Sequence, residues 1–416
     1  MRVASILANI SRLTPQALAL AALYTAAPGG FVKKLSGLTV IGVLVALASL
    51  PWQRRVSPSE LVSSQQNMRD LQDDLTRFAA LDPIDTHTHV FRNDRAFPTM
   101  LNRLRLHVLD ICVFTDQESV FSNLQAEIDA ALAVTRAARG RVAWCTTFDP
   151  FQFRSPGFPA ETIQQLDRDF SNGAVAVKIW KNIGMELKTP TGKFVMPDDP
   201  VFTPIYRAIA AHNKTLIAHV AEPDSCWQPL KQANPDYDYY QAHPEWHMYG
   251  KPDHPSKAKI LEARDHLLAQ NPDLRVVGAH LGSMEVDLDG LAQRLDRYPN
   301  FSVDTAARVV YLALQPRDKV RAFLIKYQDR VLYGTDLGYR PKGDSDNLQD
   351  WESTYLQDWK FFATDETVEF DGRKFQGLQL PDAVLRKLYH DNAVRWIPTI
   401  ANPAHDGSIV HSKEAS

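Results

Sequence analysis

Between residues 81 and 400, short apolar runs alternate with longer segments whose apolar residues recur at helical spacing. The apolar runs are nearly continuous, which is typical of strands buried on both faces of a parallel sheet. Eight strands that alternate with helices predict an α/β fold, namely a (β/α)8 TIM barrel. The first predicted strand ends at His87 and His89, and the others lie in residues 108–114, 141–148, 173–179, 215–219, 274–280, 300–304 and 331–336.

Helical spacing and loop composition define the connections between these strands. We expect residues 92–104 to form an irregular loop. The segment 224–255 is rich in Trp, Tyr, His and Pro and is expected to be a lid that shapes a substrate pocket. Helices are predicted in residues 124–139, 161–171, 201–212, 257–270, 288–296, 317–327 and 381–395.

The N-terminal segment, residues 1–56, differs in kind from the rest of the chain. Residues 35–50 carry no charge and are flanked by Lys33-Lys34 and Arg54-Arg55. A bilayer span needs about 20 apolar residues, whereas this charge pattern with small residues at the end resembles a secretory signal. We expect a signal or membrane anchor, hence export or anchoring; a misassigned start would instead make the protein cytoplasmic.

The remaining domain boundaries follow from composition. Residues 57–80 are predicted to form a linker that continues into a lead-in helix. Residues 81–400 are predicted to form the barrel, and residues 401–416 are predicted to form a flexible tail. The 416-residue chain is 44% hydrophobic and 23% charged, which is ordinary globular usage. A net charge of −3 without a basic block predicts no nucleic-acid partner. Three cysteines without CxxC spacing argue against a disulfide framework.

The stretch Asp85-Thr-His87-Thr-His89 carries the first candidate chemistry. Side chains alternate faces along a strand, so the two imidazoles share one face and could bind a single metal ion. The alternative is that both are ordinary polar residues. Further polar residues lie at or near the ends of four other predicted strands: Lys178, His219, His280 and Asp336. Because catalytic groups of a TIM barrel gather at the C-terminal strand ends, we expect these side chains to converge.

The motif Asp85-Thr-His87-Thr-His89, histidines on strands five and six, and Gly334-Thr-Asp336 on strand eight resemble the amidohydrolase superfamily. Its amidohydrolase-related branch includes lactonases and metal-dependent decarboxylases. The ending Tyr389-His-Asp-Asn392-Ala-Val-Arg-Trp396 is also similar to the closing helix of that branch. The resemblance covers residues of about 80 to 400 and implies a barrel enzyme.

The resemblance implies that His87, His89, His219 and Asp336 bind a metal. It implies that Asp336 also accepts a proton from bound water, and that His280 either binds a second metal or polarises the substrate. Three nitrogens and a carboxylate suit one catalytic Zn²⁺, and Mn²⁺ is an alternative ion. Two ions are expected if Lys178 is carbamylated and bridges them; otherwise Lys178 contacts substrate or is structural.

Several weaker candidates surround this set. Glu222 could contact substrate or act as an acid, or could be a surface residue. Arg308 could bind a substrate carboxylate, given its bidentate geometry, or form a structural ion pair. Asp85 is a candidate partner of the strand-one histidines, and Asp304 is expected to brace the site. Lys181 is a second candidate cation, although a loop position is expected for it. We expect His243, His247 and His254 to be lid or surface residues rather than metal ligands.

Three functions follow. The first is a hydrolase in which a metal-activated water attacks an ester, lactone or amide carbonyl, with His280 stabilising the oxyanion. The second is a non-oxidative decarboxylase of an aromatic or unsaturated acid, with Arg308 or Lys178 anchoring the carboxylate. The third is a membrane-tethered barrel that binds ligand without turnover. The expected partner is a small-molecule substrate, and the sequence is compatible with a homo-oligomer and with a tether through residues 35–50.

Overall fold

The structure is a computed structural model of the chain and describes residues 72–116, 122–340 and 348–402. The predicted signal or anchor in residues 1–56 and nearly all of the predicted tail lie outside these ranges. The described residues all belong to one compact unit, Gln66–Ser416. Within them, no helix is both long enough and apolar enough to span a bilayer.

A nine-stranded parallel sheet forms the centre of this unit, in the order β8-β7-β6-β5-β4-β3-β2-β1-β9. Backbone bonds from Thr86 N to Tyr333 O (2.9 Å) and from Asp336 N to His87 O (2.8 Å) join the eighth strand position to β1. The strands thus form the predicted (β/α)8 TIM barrel. They are β1 Ile84–Val90, β2 His107–Ile111, β3 Val142–Thr146, β4 Ala176–Ile179, β5 Thr215–Ala218, β6 Arg275–Gly278, β7 Phe301–Asp304, β8 Val331–Leu332 and β9 Leu337–Tyr339.

Helices follow the strands in alternation, as the apolar spacing predicted. Residues 72–80 form the lead-in helix α1. The other α-helices of five or more residues are α2 Ala96–Leu104, α3 Leu124–Ala137, α4 Phe158–Ser171, α5 Thr203–Ala211, α6 Tyr237–Ala242, α7 Lys257–Gln270, α8 Leu288–Arg297, α9 Val309–Ala313, α10 Arg317–Lys326, α11 Leu348–Ala363, α12 Asp382–Arg386 and α13 Asn392–Trp396. A π-helical turn, Lys387–Asp391, joins α12 to α13.

Two parts of the chain differ from the sequence prediction. Residues 92–104 were expected to be irregular, yet α2 occupies most of them and buries Phe97, Met100, Leu101 and Leu104. The helix forms despite Pro98 because this proline lies in the first turn, where the backbone N–H groups have no partner within the helix. After strand eight, an excursion adds α11 and an antiparallel hairpin, β10 Thr367–Phe370 and β11 Arg373–Gln376. No element was predicted there.

The barrel interior is a separate apolar cluster with members from seven strand positions, including Ile84, Ile111 and Ile217. Trp396 and Ile397 join this cluster from the C-terminal end of the chain. Thr215, the first residue of β5, donates to the carbonyl of Trp396, so α13 covers the N-terminal end of the barrel. The opposite, C-terminal strand ends are left to carry the polar groups described next.

Candidate metal centre

His87 and His89 leave the inner face of β1 with their rings held in fixed orientations. The Nδ1 atom of His87 lies 2.9 Å from Oδ2 of Asp304, and that of His89 lies 2.8 Å from the carbonyl oxygen of Ile111. A carbonyl or carboxylate oxygen only accepts, so each Nδ1 carries the proton. In the neutral rings, both Nε2 atoms are therefore acceptors with an available lone pair.

Asp336 meets these two rings from the segment between β8 and β9. Its backbone adopts φ +68°, and its Oδ1 lies 3.5 Å from Nε2 of His87 and 3.2 Å from Nε2 of His89. Burial opposes the charge of Asp336, but in acid, where the rings of His280, His89 and His87 take up protons, their charges outweigh burial and hold the pKa of the carboxyl well below its usual range. Asp336 is therefore an acceptor as well.

Three acceptor atoms thus face one another at the C-terminal end of the barrel. His87, His89 and Asp336 each offer a ligand atom within 4.8 Å of the other two. Ligands of a tetrahedral ion with bonds of about 2.0–2.1 Å stand about 3.3 Å apart, close to the two separations found here. Acceptors repel at such distances unless a cation or proton lies between them, so the residues fit a metal ion.

His280 and His219 extend this group along β6 and β5. The ring of His280 lies 4.8 Å from that of His87 and 4.3 Å from that of His219, centroid to centroid. Nε2 of His219 is buried and has no hydrogen-bond partner among the described residues. The tight group of three does not include His219, so its role as the fourth ligand stays a prediction.

His280 occupies a left-handed turn directly after β6, with φ +60°. Asp304 Oδ1 accepts from the backbone N of His280 at 2.8 Å, and Nδ1 of His280 lies 2.9 Å from the carbonyl oxygen of Ala306. Burial lowers the pKa of His280 to about 3, so the ring is neutral near pH 7 and its Nε2 is an acceptor. The predicted oxyanion role needs a donor, which this tautomer does not provide.

The carboxylate that contacts the His87 ring is Asp304 rather than Asp85. Asp85 accepts from the backbone N atoms of His87 (3.0 Å) and Thr335 (3.1 Å) and from the hydroxyl of Tyr355 (2.9 Å), without touching either ring. It therefore holds strand eight against β1. The expectation that Asp304 braces the site agrees with its bonds to His87 and His280.

Lys178, on β4, also reaches the centre. Its side chain is buried, and Nζ lies 3.1 Å from Nε2 of His87. Burial lowers the pKa of this ammonium, so Lys178 loses its proton to give the neutral amine at a lower pH than it would in water. The position suits both a substrate contact and the carbamylated bridge, and the structure brings no other described lysine into contact with these histidines.

Lys181 lies in the turn after β4, as predicted, and is a buried cation beside the site. It pairs with Oε1 of Glu222, donates to the hydroxyl of Tyr239 at 2.6 Å and lies 4.2 Å from the ring centroid of Trp246. Glu222 also accepts from Tyr240 at 3.0 Å. Lid residues thus fix Glu222, whose predicted contact with substrate stays untested. Of the aromatic neighbours of Lys181, Trp180 is adjacent in the sequence, whereas Tyr239 and Trp246 are distant in the sequence and could not be identified from it.

The remaining predicted residues lie around this group. Arg308 is buried just before α9, where its charge is one of the influences lowering the pKa values of His219 and His280. His243 lies 3.3 Å from Glu245, and His247 lies 3.0 Å from the carbonyl of Gln228, both at the exposed lid. The cluster of His87, His89 and Asp336 contains none of these three histidines, counting His254, and their position outside any metal site stays a prediction.

The family of the chain is assigned from a family model that matches most of its length. The family model described as Amidohydrolase matches residues 84–399. This chain belongs to the amidohydrolase family. The match begins at the start of β1, contains every residue of the candidate centre and ends after α13. Members of this superfamily are typically metal-dependent, which agrees with the cluster of this amidohydrolase.

Solved structures similar to this amidohydrolase carry different activities in their names. A 2,6-dihydroxybenzoate decarboxylase from Rhizobium is 14% identical, with 76% of this chain and 98% of that chain covered and a TM-score of 0.47. A 4-oxalomesaconate hydratase from Rhodopseudomonas palustris is 12% identical over 76% and 95%, with a TM-score of 0.43. A dihydroorotase from Campylobacter jejuni is 13% identical over 75% and 82%, with a TM-score of 0.40.

These similarities are too distant to assign a reaction to this amidohydrolase. No curated protein matches the chain. The reaction must therefore be argued from the site itself.

Proposed function

We propose that this amidohydrolase is a metal-dependent hydrolase that attacks the carbonyl carbon of an ester, lactone or amide. The proposal is carried by the convergence of three acceptors, Nε2 of His87, Nε2 of His89 and Oδ1 of Asp336. Neutral nitrogens with one carboxylate suit Zn²⁺, with Mn²⁺ as the alternative. When bound, such an ion lowers the pKa of its water to about 7 and polarises a carbonyl.

Asp336 is the candidate base. Its low pKa keeps it ionised at neutral pH, and it lies beside the ligand nitrogens where a water proton would be released. Asp304 holds the ring of His87, so that the Nε2 lone pair stays directed at the centre. His280, neutral with an acceptor Nε2, can receive a proton or serve as a ligand to a second ion.

A specific observation keeps decarboxylation as the second candidate. Two cationic side chains, Lys178 and Arg308, are buried beside the histidines. A buried cation can anchor the carboxylate of an acid whose carbon–carbon bond is to be broken. The hydrolase is the better proposal because the Asp336 carboxylate lies beside the ligand nitrogens, where it can accept the proton of an attacking water.

The test is hydrolysis of a panel of aryl esters, lactones and anilides by the full chain. Proton release is recorded in a pH-stat, and carbon dioxide is measured in parallel with aromatic acids as substrates. We expect hydrolysis that disappears after chelation and returns with Zn²⁺ or Mn²⁺. Carbon dioxide without hydrolysis would select the decarboxylase, and hydrolysis that survives chelation would refute the metal-dependent mechanism.

A further inference from the structure

Arg308 is a buried guanidinium with an unused donor. It leaves the turn after β7, immediately before α9, and only 7% of it is exposed. Its Nη1 donates to the carbonyl of Ala307 at 2.9 Å, and its Cζ lies 5.5 Å from the ring centroid of Tyr311. Its Nε has no hydrogen-bond partner among the described residues. A buried N–H without an acceptor destabilises the folded protein, so a ligand that supplies an acceptor is favoured here.

The two acidic residues with the largest electrostatic effect on Arg308 are Asp236 and Glu285, and both are hydrogen-bonded to other donors. Oδ2 of Asp236 accepts from the hydroxyls of Ser225 and Tyr311. Glu285 accepts from the backbone N of Asp224 at 2.7 Å and pairs with Lys257 at 3.1 Å.

These carboxylates favour the charged guanidinium from a distance. Burial lowers the pKa of Arg308, but Asp236 and Glu285 outweigh it, so the net shift is upward. No described carboxylate oxygen lies within 4.0 Å of the Arg308 nitrogens. The fold thus keeps a charged arginine buried without giving it an ion-pair partner.

We propose that Arg308 anchors a carboxylate of the substrate, so that the substrate is a carbonyl compound that also carries a carboxylate. The proposal rests on the proposed function in taking the His87–His89–Asp336 centre as the reaction site. Arg308 lies near enough to His219 and His280 for its charge to act on both rings. A carboxylate on Nε would therefore place the rest of the ligand beside the metal centre.

The surrounding charge favours a carboxylate over a phosphate. Guanidinium groups bind both anions. The carboxylate of Asp236, which is bonded to hydroxyls rather than to a cation, acts on Arg308 and would repel a dianion more strongly than a monoanion. A water molecule could also accept a hydrogen bond from Nε. The experiment must therefore compare the affinity for a carboxylate with the affinity for a neutral polar ligand of the same shape.

The experiment is calorimetric titration of the full chain with benzoate and succinate, each compared with its neutral amide, and with inorganic phosphate. The variants are Arg308→Gln, Arg308→Lys and, as a control on the exposed end of α8, Arg297→Gln. We expect wild type and Arg297→Gln to bind a carboxylate in preference to its amide. Arg308→Gln should bind it about ten- to a hundredfold more weakly, with metal content unchanged.

Arg308→Lys should give a smaller loss, because lysine keeps the charge but has no nitrogen at the Nε position. If Arg308→Gln does not fold, Arg308→Lys is the variant that tests the proposal. Carboxylate affinity of Arg308→Lys equal to that of the wild type would then overturn the proposal. So would equal binding by wild type and Arg308→Gln, equal binding of carboxylate and amide, tighter binding of phosphate, or no carboxylate binding at all.

Hydrolysis of the ester panel, measured on the same preparations, separates the two proposals. Carboxylate binding that depends on Arg308 without any hydrolysis would refute the hydrolase alone. Hydrolysis with carboxylate binding independent of Arg308 would refute the anchor alone.

Discussion

The two sides of the candidate metal centre differ in how completely their polar atoms are bonded. On the side of β1, β7 and strand eight, Asp304 and the Ile111 carbonyl fix the rings of His87 and His89. On the side of β5 and the β7–α9 turn, Nε2 of His219 and Nε of Arg308 have no hydrogen-bond partner among the described residues. The first side is organised by the fold alone, whereas the second has donors and acceptors suited to a ligand.

The largest expected effect is that of Asp336→Asn on the bonded side. It removes both a metal ligand and the candidate base, and we expect kcat/KM for hydrolysis to fall about 10³- to 10⁴-fold. Asparagine tolerates the left-handed backbone at φ +68°, so the thermal midpoint should change little. Activity within tenfold of wild type would contradict the assignment of Asp336.

His219→Ala tests the other side. If His219 is the fourth ligand, metal content and activity should be lost together, with affinity reduced more than about a hundredfold, since even outer partners of ligands are worth ten- to a hundredfold. Competition with a metallochromic chelator measures the affinity. An enzyme that kept both metal and activity would refute this assignment and leave His87, His89 and Asp336 as the protein ligands.

Asp304→Asn should have an intermediate effect. Asparagine can still accept from the backbone of His280, but its amide can no longer serve as the charged acceptor for Nδ1 of His87. Metal affinity should fall about ten- to a hundredfold. The matched control is Asp169→Asn, a buried carboxylate bonded to Thr146 and Gln165, which should leave metal affinity unchanged. Equal losses in the two variants would point to general destabilisation.

Asp358→Asn should change stability and leave metal binding intact. Burial raises the pKa of Asp358 to about 7, while the unfolded value is about 3.9. The folded state therefore holds more protons between about pH 4 and 7, and wild-type stability falls as pH rises, by at most about 1.4 kcal/mol per pH unit from this group. Urea unfolding at several pH values should show that the free energy of unfolding of Asp358→Asn rises relative to that of the wild type as the pH increases across that window. The same pH dependence in both proteins would contradict this.

The barrel was predictable because its signals are local. Each strand is a short apolar run, and the strand-end positions of His87, His89, His280 and Asp336 follow from alternation and from the rule that strand ends meet. The helix α2 was missed because a proline lies in its first turn, where it does not in fact break the helix. The hairpin of β10 and β11 was missed because its alternation spans only four residues per strand.

Long-range partnerships could not be read from the sequence. The carboxylate that orients His87 is Asp304, which is 217 residues away, while the adjacent Asp85 bonds to backbone and to Tyr355 instead. The acceptor character of His280 depends on a carbonyl in the next strand–helix turn. The Lys181–Glu222–Tyr239 group depends on how the lid folds back over β4 and β5.

The most direct test of the metal centre is elemental analysis of the full chain purified without chelator. The account predicts about one Zn²⁺ per chain, held by His87, His89 and Asp336 with His219 as the fourth ligand. About two ions would retain this centre and assign Lys178 and His280 to a second site. No bound metal, even after incubation with Zn²⁺ or Mn²⁺, would contradict the account.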